Sequence, residues 1–460
     1  MVAAKKIATS VNTFALFLVV LALFAAQGCN RSRDEAQARQ VAARVKTEFL
    51  HAWNNYERYA WGHDALRPLS KTAHDWYGQS LQMTPVDALD TLILMKLEAE
   101  AAKAQALIVG DLSFDRDIYV KNFEITIRLL GGLLSSYQLT GDKRLLGLAE
   151  DLGARLLPAF NSPTGLPYVY VNLRTGQVRD SVSNPAETGT LLLEFGTLSK
   201  LTGKPIYYDK AKHALVELYN RRSPVGLVGS SINIKTGEWT DPVSHISGGI
   251  DSYYEYLLKA WLLFDDKDCE RMWKASIEAV NKYLADQAPT GFWYGQANMN
   301  TGARTGTTFG ALDAFFPGTL ALSGDLDRAR KLEDSAYKMW TTSGIEPEEM
   351  NYMTMKITAD GYELRPEIIE SAYYLRHFTK DPRYPEMGKT FFDSLVKYCR
   401  TDVGYAALSD VATKTKKDEM ESFFFAETLK YLFLLYAPPD TVDLSKVVFN
   451  TEAHPIRRTW

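Results

Sequence analysis

The feature that most constrains this chain is an internal repeat. Three segments carry Asn-x-x-Thr-Gly: Asn172 to Gly176, Asn233 to Gly237 and Asn298 to Gly302, spaced 61 and 65 residues apart. Each lies in alternating sequence such as Tyr168-Val169-Tyr170-Val171, and a glycine-containing turn between short alternating runs predicts a β-hairpin. Met355 to Tyr362 reads as a degenerate fourth copy. Apolar stretches of helical period lie between the hairpins, among them Thr188 to Leu201, Ser252 to Phe264 and Ile368 to Phe378. Several close on related punctuation, Leu139-Thr140-Gly141-Asp142, Leu201-Thr202-Gly203-Lys204, Leu322-Ser323-Gly324-Asp325 and Phe378-Thr379-Lys380-Asp381, where glycine suits the end of a helix before the chain reverses. The unit is helix, turn, helix, hairpin. A repeat of helix pairs either opens into a solenoid or closes into an α/α toroid, and periodicity alone leaves both open.

Acidic residues fall in register with the repeat. Glu187, Asp251, Asp313 and Glu367, spaced 64, 62 and 54 residues apart, each stand near the start of the helix after a hairpin. In a closed ring they would converge on one end of the central cavity; in a solenoid they would form a line. Acids also favour helix starts simply because they cap free N–H groups and oppose the dipole. In Leu364-Arg365-Pro366-Glu367 the proline fits the first helical position, which places Glu367 in the first turn, where the dipole favours its anion, and Glu370 on the same face. An ionised carboxylate there suits a general base acting on water. Upstream, Glu124 and Arg128 stand one turn apart on an otherwise apolar helix, and a buried Glu–Arg pair demands a reason beyond stability.

The ends and the charge limit the function classes. A net charge of −4 without a basic run excludes a nucleic-acid footprint. Lys5 and Lys6 precede the apolar run Phe14 to Ala26, then small residues and Cys29, so residues 1–29 read as a bacterial-type export signal, too short for a permanent span. Ala26-Gln27-Gly28-Cys29 is similar to a lipoprotein cleavage site, so the expected location is periplasmic or lipid-anchored at Cys29, the only expected membrane attachment. Cys269 and Cys399 stay open between one disulfide and two buried thiols. A helical lead-in spans Ala36 to Tyr59, and no linker divides the chain beyond it, so 30–460 reads as one domain, expected to be monomeric.

Seven stretches in order carry a family resemblance: Asp87-Ala88-Leu89-Asp90-Thr91-Leu92; Phe123-Glu124 with Arg128 and Gly131-Gly132; Asp251-Ser252-Tyr253-Tyr254; Phe316-Pro317-Gly318; Leu364-Arg365-Pro366-Glu367 with Glu370; Glu421-Ser422-Phe423 with Ala426-Glu427; and Phe449-Asn450-Thr451-Glu452-Ala453-His454-Pro455. The chain resembles the class I α-mannosidases, glycoside hydrolase family 47, across nearly all of its exported part. The resemblance implies an (α/α)7 barrel with short β-hairpins, plugged by a C-terminal β-hairpin, and a calcium-dependent, inverting, exo-acting hydrolase of α-1,2-mannosides in oligosaccharides. By motif, Glu124 would be the general acid, through a water, and Glu367 the general base, with Asp251 a third essential carboxylate whose role as acid or base stays open. Inversion asks for acid and base about 6.5–9.5 Å apart. Thr451 would bind Ca²⁺ through hydroxyl and carbonyl, and Glu187, Glu370, Glu427 and Glu452 would hold its waters and the sugar. Arg128 and Arg365 would support the carboxylates, and Phe423 would stack on the ring.

The chain departs from the family's frequent pattern at Ala311, where a His is common, and at Gly249, where an Arg is common. Both changes bear on linkage and branch preference. Two rival readings are a non-catalytic mannose-glycan recognition protein and another toroid enzyme such as an epimerase or lyase, whose chemistry would lean on His or Tyr bases.

Overall fold

Helices apolar on every side must sit inside a layer, and helices with one apolar stripe outside it. In the computed structural model, which describes residues 35–460, the two kinds alternate along the chain. The inner rods are Met83–Leu94, 122–140, 185–202, Asp251–Phe264, 312–322, Glu367–Thr379 and 424–436. The outer ones are Glu98–Asp111, Lys143–Leu156, Pro205–Asn220, Lys267–Tyr283, Leu326–Ser343, Arg383–Tyr398 and, from the start of the described chain, 35–59. In Asp251–Phe264 every residue from Ser252 to Ala260 is buried. In Lys143–Leu156 burial is confined to Leu145, Ala149, Leu152, Gly153 and Leu156, one stripe. Rod 424–436 packs on Met83–Leu94, so the last inner helix meets the first. The seven pairs therefore close into an (α/α)7 ring, which decides between toroid and solenoid.

The hairpins stitch neighbouring pairs together at one end of the ring. Each joins the strand that leads into the preceding inner rod: Tyr119–Lys121 pairs with Tyr170–Asn172, Val182–Ser183 with Ser231–Asn233, Val243–Ser244 with Gln296–Asn298, and Thr308–Gly310 with Glu349–Asn351. The repeat motif builds the turn. The Oδ1 atoms of Asn172, Asn233 and Asn298 accept backbone N–H groups two residues on, and Gly176, Gly237 and Gly302 take the left-handed conformation that closes it. The fourth copy begins four residues earlier than the sequence suggests: Asn351 makes the Asx turn, Met355 holds the left-handed position (φ 55°), and the second strand is Lys356–Ala359. A fifth copy, Asp410 to Lys414 (φ 62°), does not show in the sequence pattern. In both a side chain stands where glycine is expected, which hides the turn.

From the other end the hairpin Val447–Phe449/Pro455–Arg457 fills the ring. Asn450 Nδ2 donates to the Ile127 carbonyl (2.9 Å), in the stretch Thr126–Leu130 where the inner rod widens to a π-helical turn, and to Glu194 Oε1 (2.7 Å). Gly131 and Gly132 make room: an added Cβ would lie 2.7 Å from Asn450 Nδ2 and 2.9 Å from the Val86 carbonyl. His454, fully buried, has Nδ1 2.7 Å from Asp90 and Nε2 3.3 Å from Asp87. Lys430 reaches Asp90 (2.8 Å) and the Ala453 carbonyl (2.6 Å). Burial opposes the imidazolium, but Asp90 and Asp87 outweigh it and hold His454 at about 9. Cys269 and Cys399 are both buried and free. The export segment and Cys29 lie outside the described residues, and among these no helix is long and apolar enough to cross a membrane.

Removing one member of a buried ion cluster strands the others, which typically costs about 3–5 kcal/mol. His454→Ala should therefore lower unfolding stability by about that amount in chemical denaturation, and an effect under about 1 kcal/mol would show that the cluster does not hold the hairpin.

Candidate active site

Because every connecting strand feeds an inner rod at the hairpin end, the starts of those rods face one mouth. A cavity of about 330 Å³ opens there, within the range of small-molecule sites. Glu124, Arg128, Glu187, Asp251, Arg365, Glu367, Phe423, Glu427, Thr451 and Glu452 all line it, with Lys121 and Asn184. Of the residues singled out from sequence, Glu370 and Asp313 do not. Glu370 lies behind the wall, accepting from the Tyr431 hydroxyl (3.1 Å) and 3.8 Å from Lys259. Asp313 is spent on the strand before its helix, accepting from Gly310 N–H (2.8 Å).

Arg128 organises one side. Its Nη2 lies 3.0 Å from Glu124 Oε2, its Nη1 contacts Glu452 and stands 3.9 Å from Asp87, and its guanidinium lies over Trp76 (5.2 Å) and Phe423 (5.7 Å). This is the reason for the buried pair: one cation serves three carboxylates from three parts of the chain. On the other side Arg365 forks onto Glu348, Nε and Nη2 at 3.2 and 2.9 Å. Leu364 before it holds a left-handed φ of 62°, with its carbonyl accepting from Thr428 (2.7 Å). That is local strain of a kind found where a side chain must be aimed. Glu348 was not legible in the sequence; its only signal is the pair Pro347-Glu348 before a strand.

Burial, not the helix dipole, sets the state of the central acids. Burial raises Glu367 to about 7 against the opposing pull of Arg365, and raises Asp251 to about 7 despite the Ser252 N–H that its Oδ1 accepts at 2.7 Å. Glu367 Oε2 has no partner among the described residues. Pro366 stands at the cap of Glu367–Thr379, not inside its first turn.

The floor is the hairpin turn. Thr451 donates its N–H toward Tyr256 (3.4 Å), while its hydroxyl and carbonyl have no partner among the described residues. Glu427 likewise makes no hydrogen bond there, and burial with the neighbouring Glu452, Glu367 and Glu370 pushes it well above the usual carboxylate range. Among the described residues no three acidic, histidine or cysteine side chains gather tightly enough to ligate a metal directly. A cation here would have to be held by the Thr451 oxygens and through waters.

The family described as Glycosyl hydrolase family 47 matches residues 48–458. Alpha-mannosidase I MNS5 of Arabidopsis thaliana is 37% identical over 452 residues, 92% of this chain and 78% of that protein. Human mannosyl-oligosaccharide 1,2-alpha-mannosidase IB is 37% identical, covering 92% of this chain and 70% of its own length. The alpha-1,2-mannosidase from Trichoderma reesei superposes with a TM-score of 0.85 at 30% identity, over 91% of this chain and 99% of that one.

The raised acids imply a stability profile. Asp251, Asp313 and Glu367 sit at about 7 when folded and near 4 in an unfolded chain. Between those values the folded chain binds more protons, so their contribution is fully present below about pH 4 and lost as pH rises through about 7. His245, lowered to about 4 by burial, opposes them only up to its ordinary value. In metal-free buffer Tm should fall from about pH 5.5 to pH 8, whereas a Tm that rises over that interval would contradict the assignment.

Proposed function

This chain belongs to glycosyl hydrolase family 47, and from that premise we propose that it removes terminal α-1,2-linked mannose from oligosaccharides by calcium-dependent hydrolysis with inversion. The observation that carries the proposal is the pocket itself, closed below by the C-terminal hairpin and lined by six carboxylates. A blind pocket accepts a chain end and excludes a mid-chain sugar, which is exo action.

Within it Glu367 is the base. Arg365 favours its carboxylate while burial keeps its affinity for a proton near neutrality, which suits removal of a proton from the attacking water. Asp251, raised to about 7 with no cation in contact, holds the proton destined for the leaving oxygen. Glu124, tied to Arg128, orients the water that relays it. Phe423 offers a ring face to the sugar's C–H surface. An oxygen-only floor fits a hard cation. Thr451 would hold it through hydroxyl and carbonyl, with Glu427 and Glu452 around it through water and Glu370 behind them. Bound there, calcium would supply positive charge beside Glu427, which has no ion-pair partner among the described residues, and an anchor for sugar hydroxyls.

A recognition protein would share the floor but has no use for Glu124, Asp251 and Glu367 gathered on one pocket, which favours catalysis. The export reading of residues 1–29 goes with the proposal, placing the protein outside a bacterial cytoplasm; the intact mass of the mature chain tests it.

NMR of an α-1,2-mannobioside digest should show β-mannose as the first product, stopping on chelation and returning with Ca²⁺; initial α-mannose would refute inversion. Glu367→Gln should lower kcat at least about 100-fold while sugar binding persists. Thr451→Ala should weaken calcium binding by calorimetry, and unchanged affinity would remove that ligand.

A further inference from the structure

Lys121 carries no mark in the sequence, and the fold puts it inside the pocket. Strand Tyr119–Lys121 pairs it with Tyr170, and its backbone N–H donates to the Tyr77 hydroxyl (3.3 Å), so its backbone is fixed from two sides. Its Nζ stands 3.0 Å from Glu187 Oε1. Glu187 is itself pinned: the Ser183 hydroxyl donates to Oε2 (3.1 Å), and its N–H donates to Asn184 Oδ1 (2.9 Å). An ammonium has three donors, and Glu187 takes one.

Depth separates this pair from the floor. The Lys121 side chain is 35% exposed and that of Glu187 13%, against 2% for Glu452. The sugar that is cut off occupies the closed end, so the mouth belongs to the sugar on the leaving side. The lining carries six carboxylates, Glu124, Glu187, Asp251, Glu367, Glu427 and Glu452, against three cations, Lys121, Arg128 and Arg365. Glu187 already balances the charge of Lys121, so neutral hydroxyls suit the ammonium's remaining donors.

We propose that Lys121, clamped by Glu187, donates to hydroxyls of the leaving-group sugar and thereby sets a preference for mannosyl–sugar ends over leaving groups without hydroxyls. This rests on the mannosidase reading and adds to it a specificity-determining residue. Lys121 takes no part in bond breaking; its contribution is to binding on the leaving side. A lysine that merely balanced Glu187 would affect all substrates alike.

Two substrates separate these roles: α-1,2-mannobiose, which fills the mouth, and α-mannosyl fluoride, which does not. Lys121→Met should lower kcat/KM for mannobiose about tenfold more than for the fluoride, through KM, and Lys121→Arg should restore part of it. Equal losses on both substrates would overturn the proposal. Calorimetry with mannobiose and mannose, with Glu367→Gln introduced into both the wild-type and the Lys121→Met protein, gives a reading independent of turnover. The preference for the disaccharide should shrink about tenfold in Lys121→Met, and an unchanged preference would overturn the proposal. If wild type hydrolyses neither substrate, the mannosidase reading fails while the calorimetric comparison still decides Lys121.

Discussion

A buried cluster of charges fixes the last residues of the chain in the middle of the ring, and the site depends on it. His454 sits between Asp90 and Asp87, Lys430 shares Asp90, and Ser135 donates to the same carboxylate (2.9 Å). Isolated, any of these charges would be too expensive to bury; together they satisfy one another. They come from Met83–Leu94, 122–140, 424–436 and the hairpin turn, so the cluster also ties together rods from both ends of the chain. It positions the segment Thr451-Glu452, whose oxygens form the pocket floor.

The second constraint is topological. Four hairpins pair with the strand entering the preceding inner rod, so rod starts from successive repeats share one mouth. That is why a one-dimensional register of acids becomes a cluster. It also explains why the register is imperfect as a guide. Asp313 turns back to accept the Gly310 N–H of the strand before its helix, whereas Glu187, Asp251 and Glu367 face the cavity.

Much of this was legible because it repeats. The Asn-x-x-Thr-Gly turns, the glycine punctuation and the apolar rods each follow from local backbone chemistry, and Gly141, Gly203 and Gly324 do take left-handed positions. Ring closure was not legible, since it needs contact between residues near 90 and near 425. In the sequence the fourth turn reads four residues late and the fifth not at all, because Met355 and Lys414 occupy a conformation normally left to glycine. Arg128 and Glu124 were readable as a pair one turn apart. Glu348 and Lys121 were not, because their partners, Arg365 and Glu187, are distant in sequence or on another element. Glu370 follows Glu367 on the same helix face by spacing, yet a rod buried on all sides can turn two such neighbours toward different surroundings.

The state of Glu367 shows how a correct placement can lead to a wrong electrostatic expectation. A helix start stabilises an anion by about 0.3–1 kcal/mol at exposed positions, which is under one pK unit. Removing a carboxylate from water can shift it by up to about 3–5 units the other way. At the first residue of Glu367–Thr379 burial prevails, and the same holds for Asp251 at the start of its rod. The two acids closest to the proposed chemistry are thereby kept able to exchange a proton near neutrality, and burial with the crowding of Glu452, Glu367 and Glu370 raises Glu427 as well. Both effects follow from one cause, the confinement of many carboxylates in a closed ring.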